Sequence, residues 1–520
     1  MRKKPEAMAK TLIRFLLVLV IGHSLEWSAR AGERLPRSTP EAQGVSSESI
    51  TQLISAFSER VDSMHGFMLV RHGHVVAEAS WKPFDKDSRH TLYSLSKSFT
   101  STAIGMAIDE GRLSLDDQVL SFFPDEAPAN PSNNLQSMRI RDLLSMSTGH
   151  TSGDLQTIDW DSEKSIVSQF LALEVDHKPG THFLYNTPAT YMCSAILHKV
   201  TGQRLTDYLE PRLFKPLGIE DPVWDACHDG IDYGGFGLNV RLEDIACFGQ
   251  MLLQGGEWNS RQLVSEEWIA KAKSKQTSNG SNPDSDWEQG YGFQFWRCRH
   301  NAWRGDGAFG QFCIMIPDHD AVIAITSGTG NMGFILHLIW EILLPDFRSH
   351  PLPDNPEGHS DMETMIKRLE LPTIDSIHQS PVAGELGAKH FVAMDSDSQI
   401  KSFSLSVDKG SYVWAAQTDL GEIRAEARPE TWTKVDYLPI YMEGQKAGLG
   451  QRVPAAVSMG WVSESTFRLK FWLTETPFAH IIDLVVDKAG GVGAPVTMEY
   501  SLNVSLGGPR KRAEVKFRAE

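Results

Sequence analysis

Two residues in this chain have the types and spacing for nucleophilic chemistry. Ser94 and Lys97 lie in Tyr93-Ser94-Leu95-Ser96-Lys97-Ser98-Phe99-Thr100, at the head of an apolar run that ends near Gly111. On a helix, positions three apart share one face, so this hydroxyl and this amine can meet. A serine hydroxyl is a poor nucleophile at neutral pH and needs a base within hydrogen-bond reach. A lysine is that base only when its pKa falls, and burial among apolar neighbours lowers it. Ala103, Ile104, Met106, Ala107 and Ile108 follow, with no charge until Asp109. A helix apolar on most faces is a buried helix, and its N-terminus favours negative charge developing at Ser94.

The spacing by itself says little, since average composition gives about two such pairs by chance in a chain of this length. Ser398 with Lys401 and Ser406 with Lys409 repeat it. Those two pairs sit in alternating, strand-like sequence, where positions three apart point to opposite faces. A second candidate is Tyr185, whose phenol near a lysine could be held as phenolate or relay a proton. A third is the glycine-dense Arg304-Gly305-Asp306-Gly307-Ala308-Phe309-Gly310-Gln311. Glycine in a strand lets a ligand approach the backbone, whose N–H groups could then stabilise an oxyanion. Asp306 is either a substrate-contacting group or a plain turn aspartate.

These residues need elements to hold them. Ser46-Ser47-Glu48-Ser49 is a helix start, with Ile50, Leu53, Ile54 and Phe57 on one face. Gly66 to Arg71 and His74 to Ala79 read as two strands around His72-Gly73. Helical and loop segments fill 112–178, including Ile140 to Gly149. Pro179-Gly180-Thr181 turns the chain into Tyr185-Asn186-Thr187, and a helix runs from Ala189 to Val200. Gly234-Gly235-Phe236-Gly237 leads into a helix over Leu242 to Leu253, and Gly290 to Trp296 opens a strand series. Two apolar strands follow, Phe312 to Ile316 and Ala321 to Thr326, then a helix over Phe334 to Leu344. This order predicts a mixed α/β (α+β) domain with an antiparallel sheet. The Pro-rich stretch from His350 to about Gly384 reads as a linker. Beyond it, six alternating segments predict a separate all-β module, a barrel or a sandwich.

The totals bound the rest. The chain has 520 residues and a net charge of −16, without the basic footprint of a general nucleic-acid binder. Five cysteines, none in a C-x-x-C pair, indicate neither a zinc site nor a disulfide framework. Arg2, Lys3, Lys4 and Lys10 precede an apolar run from Phe15 to Gly22, and Ala29-Arg30-Ala31 offers a small-x-small cleavage site. This predicts a secretory signal peptide over 1–31 and a periplasmic or secreted protein, a cytoplasmic one being the alternative. No stable membrane insertion is expected once the signal is removed, because no other stretch is long and apolar enough.

Taken in order, these elements resemble the serine β-lactamase and penicillin-binding-protein superfamily. The nearest type is the class C β-lactamase-related hydrolases, which include esterases, D-amino-acid peptidases and nylon-oligomer hydrolases. The resemblance rests on Ser94 to Lys97, Ile140 to Gly149, Pro179 to Tyr185, Leu213 to Ile219 and Gly234 to Gly249. It implies a hydrolase domain over 40–347, a linker over 348–384 and a barrel-like C-terminal domain over 385–520. It makes Ser94 the nucleophile, Lys97 the base and Tyr185 the phenol assisting proton transfer. It puts Gly305-Asp306-Gly307 at the strand lining the site and makes the N–H groups of Ser94 and Ala308, or less favourably Phe309, the oxyanion hole.

Two positions depart from the family pattern. Thr187 replaces the asparagine of Y-x-N, with Asn186 adjacent, and Asp306 replaces the Lys or His of the third motif. An aspartate cannot attract a substrate carboxylate, which disfavours penicillin and favours an ester or small amide. The expected reaction is acyl transfer to water from a small-molecule or peptide substrate, with no metal or cofactor. A peptidoglycan-directed D-amino-acid peptidase and a non-catalytic penicillin-recognising sensor are the alternatives, and the oligomeric state is left open.

Overall fold

The structure is a computed structural model and describes residues 34–153, 157–160, 162–377, 380–387, 389–439, 451–487 and 495–520. The expected signal peptide lies outside the described residues. The first α-helix among the described residues, α1 (Ser47–Arg60), begins where the sequence predicts, with the Ser46 side chain accepting from Ser49 N. Strands β1 (Met64–Arg71) and β2 (His74–Ser80) follow as a hairpin.

These two strands form one side of a six-stranded antiparallel sheet. Its order is β2, β1, Ala321–Ser327, Gln311–Ile316, Trp303–Gly307 and Trp296–Arg297. Both faces are covered, and the period of two along each strand sorts the side chains. Phe67, Leu69, Ile314 and Ile323 pack with α1 and the helix Met332–Leu338. Met68, Val70, Met315 and Val322 join the opposite core, which holds α2 (Ser96–Asp109) and the helices Thr187–Thr201 and Leu242–Leu253. Twelve consecutive residues of α2, Ser96 to Ala107, are buried. The five cysteines are buried and free.

Two sequence expectations need correction. The run Gly290 to Trp296 is a strand only from Trp296, because Gly290 and Gln294 take positive φ (116° and 64°) and turn the chain. Part of the expected linker is a helix, Pro356–Lys367, that buries Met362 with the α1 residues. Asn355 caps it and Pro356 stands at its first turn, where a missing N–H costs nothing.

The C-terminal part is a single antiparallel sheet of ten strands with a common core. Its end strands, Gly421–Ala427 and Thr433–Tyr437, come together, and the Arg452 guanidinium donates to Glu422 O and Asp436 O across them. The sheet is therefore a nearly closed barrel and not a sandwich. Trp472 and Ala479 extend from it into the core beneath α1.

Candidate active site

Ser94 sits in a short 3-10 turn, Tyr93–Leu95, directly ahead of α2. The polar residues of the first turns of α2 each have a task. Ser96 Oγ accepts from Leu238 N, Thr100 Oγ1 donates to Gly234 O, and Ser98 and Ser101 donate to Gln294 O and Phe293 O. Two loops distant in sequence are thereby pinned against α2.

Lys97 is 1% exposed. Its Nζ lies 3.1 Å from Ser94 Oγ, 3.1 Å from Thr187 Oγ1 and 2.7 Å from Gly235 O. Burial lowers its pKa to about 7, against a partial upward pull from the Asp306 carboxylate. The amine is thus substantially neutral near physiological pH and can accept a proton from the hydroxyl beside it. Glycine at 235 leaves room for this close approach. A Cβ would lie 2.8 Å from Thr187 Cγ2 and 3.5 Å from Lys97 Nζ.

The Tyr185 hydroxyl interacts with the Ser94 side chain, and the Tyr185 ring centroid lies 5.1 Å from Lys97 Nζ. The ring stacks on Trp296 at 5.4 Å and meets Tyr291 edge-on at 6.2 Å, which fixes the phenol. Burial, and then the nearby Asp306, push its pKa above the ordinary phenol value. The phenol therefore stays protonated, which favours a proton relay over a standing phenolate.

The strand Trp303–Gly307 runs alongside. Glycine allows the approach, since a Cβ on Gly307 would fall 1.9 Å from Leu92 O and one on Gly305 would fall 2.4 Å from Ser98 Oγ. Asp306 is 6% exposed and takes two bonds on one oxygen from the fully buried Arg304, Nη2 at 2.8 Å and Nε at 3.1 Å. After the strand, the turn through Ala308, Phe309 and Gly310 is held from behind. Gln311 Nε2 donates to Ala308 O at 2.9 Å, and Ser327 Oγ donates to Phe309 O at 2.7 Å. Ala308 is half-buried beside this turn.

Ser94, Lys97, Tyr185 and Thr187 thus converge, with Asp306 electrostatically coupled to Lys97 and Tyr185. Asn186 does not join them. Its Oδ1 caps the helix Thr187–Thr201 through Ala189 N, and its Nδ2 faces Thr148 and His150. Sequence reasoning missed the Gly235 carbonyl and Arg304. The glycine cluster was a signal for the first. The two-residue spacing from Asp306, which puts both side chains on one strand face, was a signal for the second. Among the described residues, no group of three His, Cys, Asp or Glu side chains is placed to hold a metal ion.

The family model described as Beta-lactamase matches residues 50–334, more than half of the chain, so this protein belongs to the Beta-lactamase family. It is an enzyme of the serine hydrolase class. The 6-aminohexanoate-dimer hydrolase of Paenarthrobacter ureafaciens is 27% identical over 327 residues, covering 57% of this chain and 83% of that protein. A protein of Escherichia coli K12, provisionally named D-alanyl-D-alanine carboxypeptidase, is 23% identical over 370 residues, covering 57% and 82%. Among solved structures, an octameric penicillin-binding protein homologue from Pyrococcus abyssi aligns over 90% of this chain and 99% of its own, with 15% identity and a TM-score of 0.47. No helix among the described residues is long and apolar enough to cross a membrane.

Proposed function

We propose that the chain hydrolyses an uncharged ester or small amide through an acyl-enzyme on Ser94. The observation that carries this reading is the buried Lys97 amine, lowered to about 7 and 3.1 Å from Ser94 Oγ. Ser94 Oγ adds to the substrate carbonyl as its proton passes to Lys97 Nζ. The N–H groups of Ser94 and Ala308 hold the oxyanion, each donor worth about 3 kcal/mol in comparable sites. The intermediate then collapses. The bond to the leaving oxygen or nitrogen breaks, and that atom takes a proton through the Tyr185 hydroxyl. Water next adds to the acyl carbon as its proton passes to the same pair; the bond from that carbon to Ser94 Oγ then breaks, the proton returns to Oγ, and the acid leaves.

The substrate class follows from the site strand. Its charged pair, Arg304 with Asp306, is closed on itself, so it offers no free cation to a substrate carboxylate. The names of the relatives point to amide bonds, one of them in a D-alanyl peptide. A D-amino-acid peptidase is therefore the second reading, and a D-Ala-D-Ala peptide assayed beside a simple anilide separates the two. Purified Ser94→Ala is expected to lose turnover of nitrophenyl butyrate entirely. An unchanged rate in that variant refutes the assignment.

We further propose that 40–347 is the hydrolase domain and 385–520 its C-terminal partner, and that 1–31 is a signal peptide directing export. The composition of the first residues supports the last point. N-terminal sequencing of mature protein is expected to begin at Gly32.

A further inference from the structure

Two strained residues flank the proposed chemistry. Tyr93 precedes Ser94 and has φ 48°, and Phe309 follows Ala308 and has φ 68°. An ordinary side chain in this left-handed region is strained, and it persists only where the surroundings over-determine it. Here the C-terminal barrel supplies part of the surroundings. The rings of Tyr93 and Phe309 meet edge to face at 5.5 Å. Both also meet Phe478 edge to face, at 6.5 Å and 5.5 Å. Val504 completes this small separate core, and Ala308 packs against it. Phe478 lies in the turn between barrel strands Thr466–Leu473 and Ala479–Val486, and Val504 just follows Val496–Leu502.

The same turn is bonded to the hydrolase part on both sides of the site. Thr91 N donates to Glu475 O at 2.9 Å, three residues ahead of Ser94. On the other side, Asn503 Nδ2 donates to Pro477 O at 3.0 Å and to Gly328 O at 3.4 Å. Gly328 follows Ser327, whose hydroxyl holds Phe309 O.

We propose that Phe478 is a positioning residue for the oxyanion hole. It packs against the edges of both Tyr93 and Phe309 and keeps both in the conformations that set the N–H groups of Ser94 and Ala308. Phe478 is 1% exposed, so it acts through those neighbours and not on substrate. The barrel is on this view a working part of the active site. The proposal rests on the reading of Ser94 as nucleophile.

The test uses the full-length protein, nitrophenyl butyrate, and a fluorophosphonate label to count competent serines. Phe478→Ala is expected to lower kcat per labelled site about 10- to 100-fold, as misplaced groups do elsewhere. KM is expected to stay within about threefold, since substrate contacts remain. The midpoint of the pH profile is expected to stay in place, because Lys97 is untouched. Phe478→Leu, which refills most of the volume, is expected to recover part of the loss. A wild-type kcat in Phe478→Ala overturns the proposal, and so does a loss that moves the pH midpoint. Should Phe478→Ala not fold, Val504→Ala trims the same core less severely, and a wild-type kcat there overturns it equally. Ser94→Ala, run alongside, separates the two readings. If it is inactive while Phe478→Ala is normal, only the positioning role fails. If it is active, the nucleophile reading fails and this proposal with it.

Discussion

Thr187 Oγ1 lies 3.1 Å from Lys97 Nζ, at the position where the resemblance leads one to expect an asparagine. A hydroxyl there still accepts from the amine. It is shorter than an amide, and Gly235 brings its carbonyl to 2.7 Å from the same nitrogen. Thr187→Val keeps the shape and removes only the acceptor. Losing one such bond is worth about 0.5–1.5 kcal/mol, so kcat/KM is expected to fall about 3- to 10-fold. The charged amine loses more from this change than the neutral one, so the pH midpoint is expected to move down. A full pH profile of the variant checks both, and an unmoved midpoint would show that this hydroxyl does not hold the amine.

The wild-type profile follows from the same nitrogen. Burial holds Lys97 at about 7, well below the ordinary lysine value. The base must be neutral to act, so kcat/KM is expected to rise with pH, reach half its plateau near pH 7, and flatten above. Between pH 7 and the ordinary lysine value, about 10.4, the unfolded chain holds a proton that the folded one has released. Folding stability from this group is therefore lowest below pH 7 and rises through that window. Denaturant titrations of wild type and Lys97→Met at pH 6 and pH 10 measure it. Lys97→Met is expected to lack the rise. An activity midpoint near 10 would remove Lys97 from the role of base.

The parts legible in the sequence are those set by local spacing. Ser94 and Lys97 are three residues apart, and the His72-Gly73 turn between two strands and the apolar run of α2 each show in one stretch of neighbouring residues. The parts that were not legible depend on distant chain. Lys97 and Gly235 are 138 residues apart, and no local pattern joins them. Phe478 meets Tyr93 and Phe309 only after the barrel has closed on the hydrolase part. Positive φ at Tyr93 and Phe309 leaves no trace in composition, because neither residue type favours it. The helix Pro356–Lys367 had its start signal in Asn355-Pro356, but the surrounding prolines outweighed it.

Asp306 is where the family pattern and this chain differ most in charge. Its carboxylate is closed onto Arg304, with the two side chains 6% and 0% exposed, and it pulls the Lys97 pKa upward against burial. Asp306→Asn removes a buried charge of that pair and leaves the guanidinium uncompensated. Breaking such a pair from one side destabilises by about 3–5 kcal/mol, so a clear drop in Tm is expected. The effect on activity has a definite sign. With the anion gone and an unpaired cation left beside the site, the charged form of Lys97 is disfavoured further. The kcat/KM midpoint is then expected to fall below its wild-type position, with folded protein still taking the fluorophosphonate label. Were Asp306 itself the proton acceptor, the same substitution would abolish turnover at every pH and leave no midpoint to shift. Recording the profile at a temperature where the variant stays folded decides between these roles.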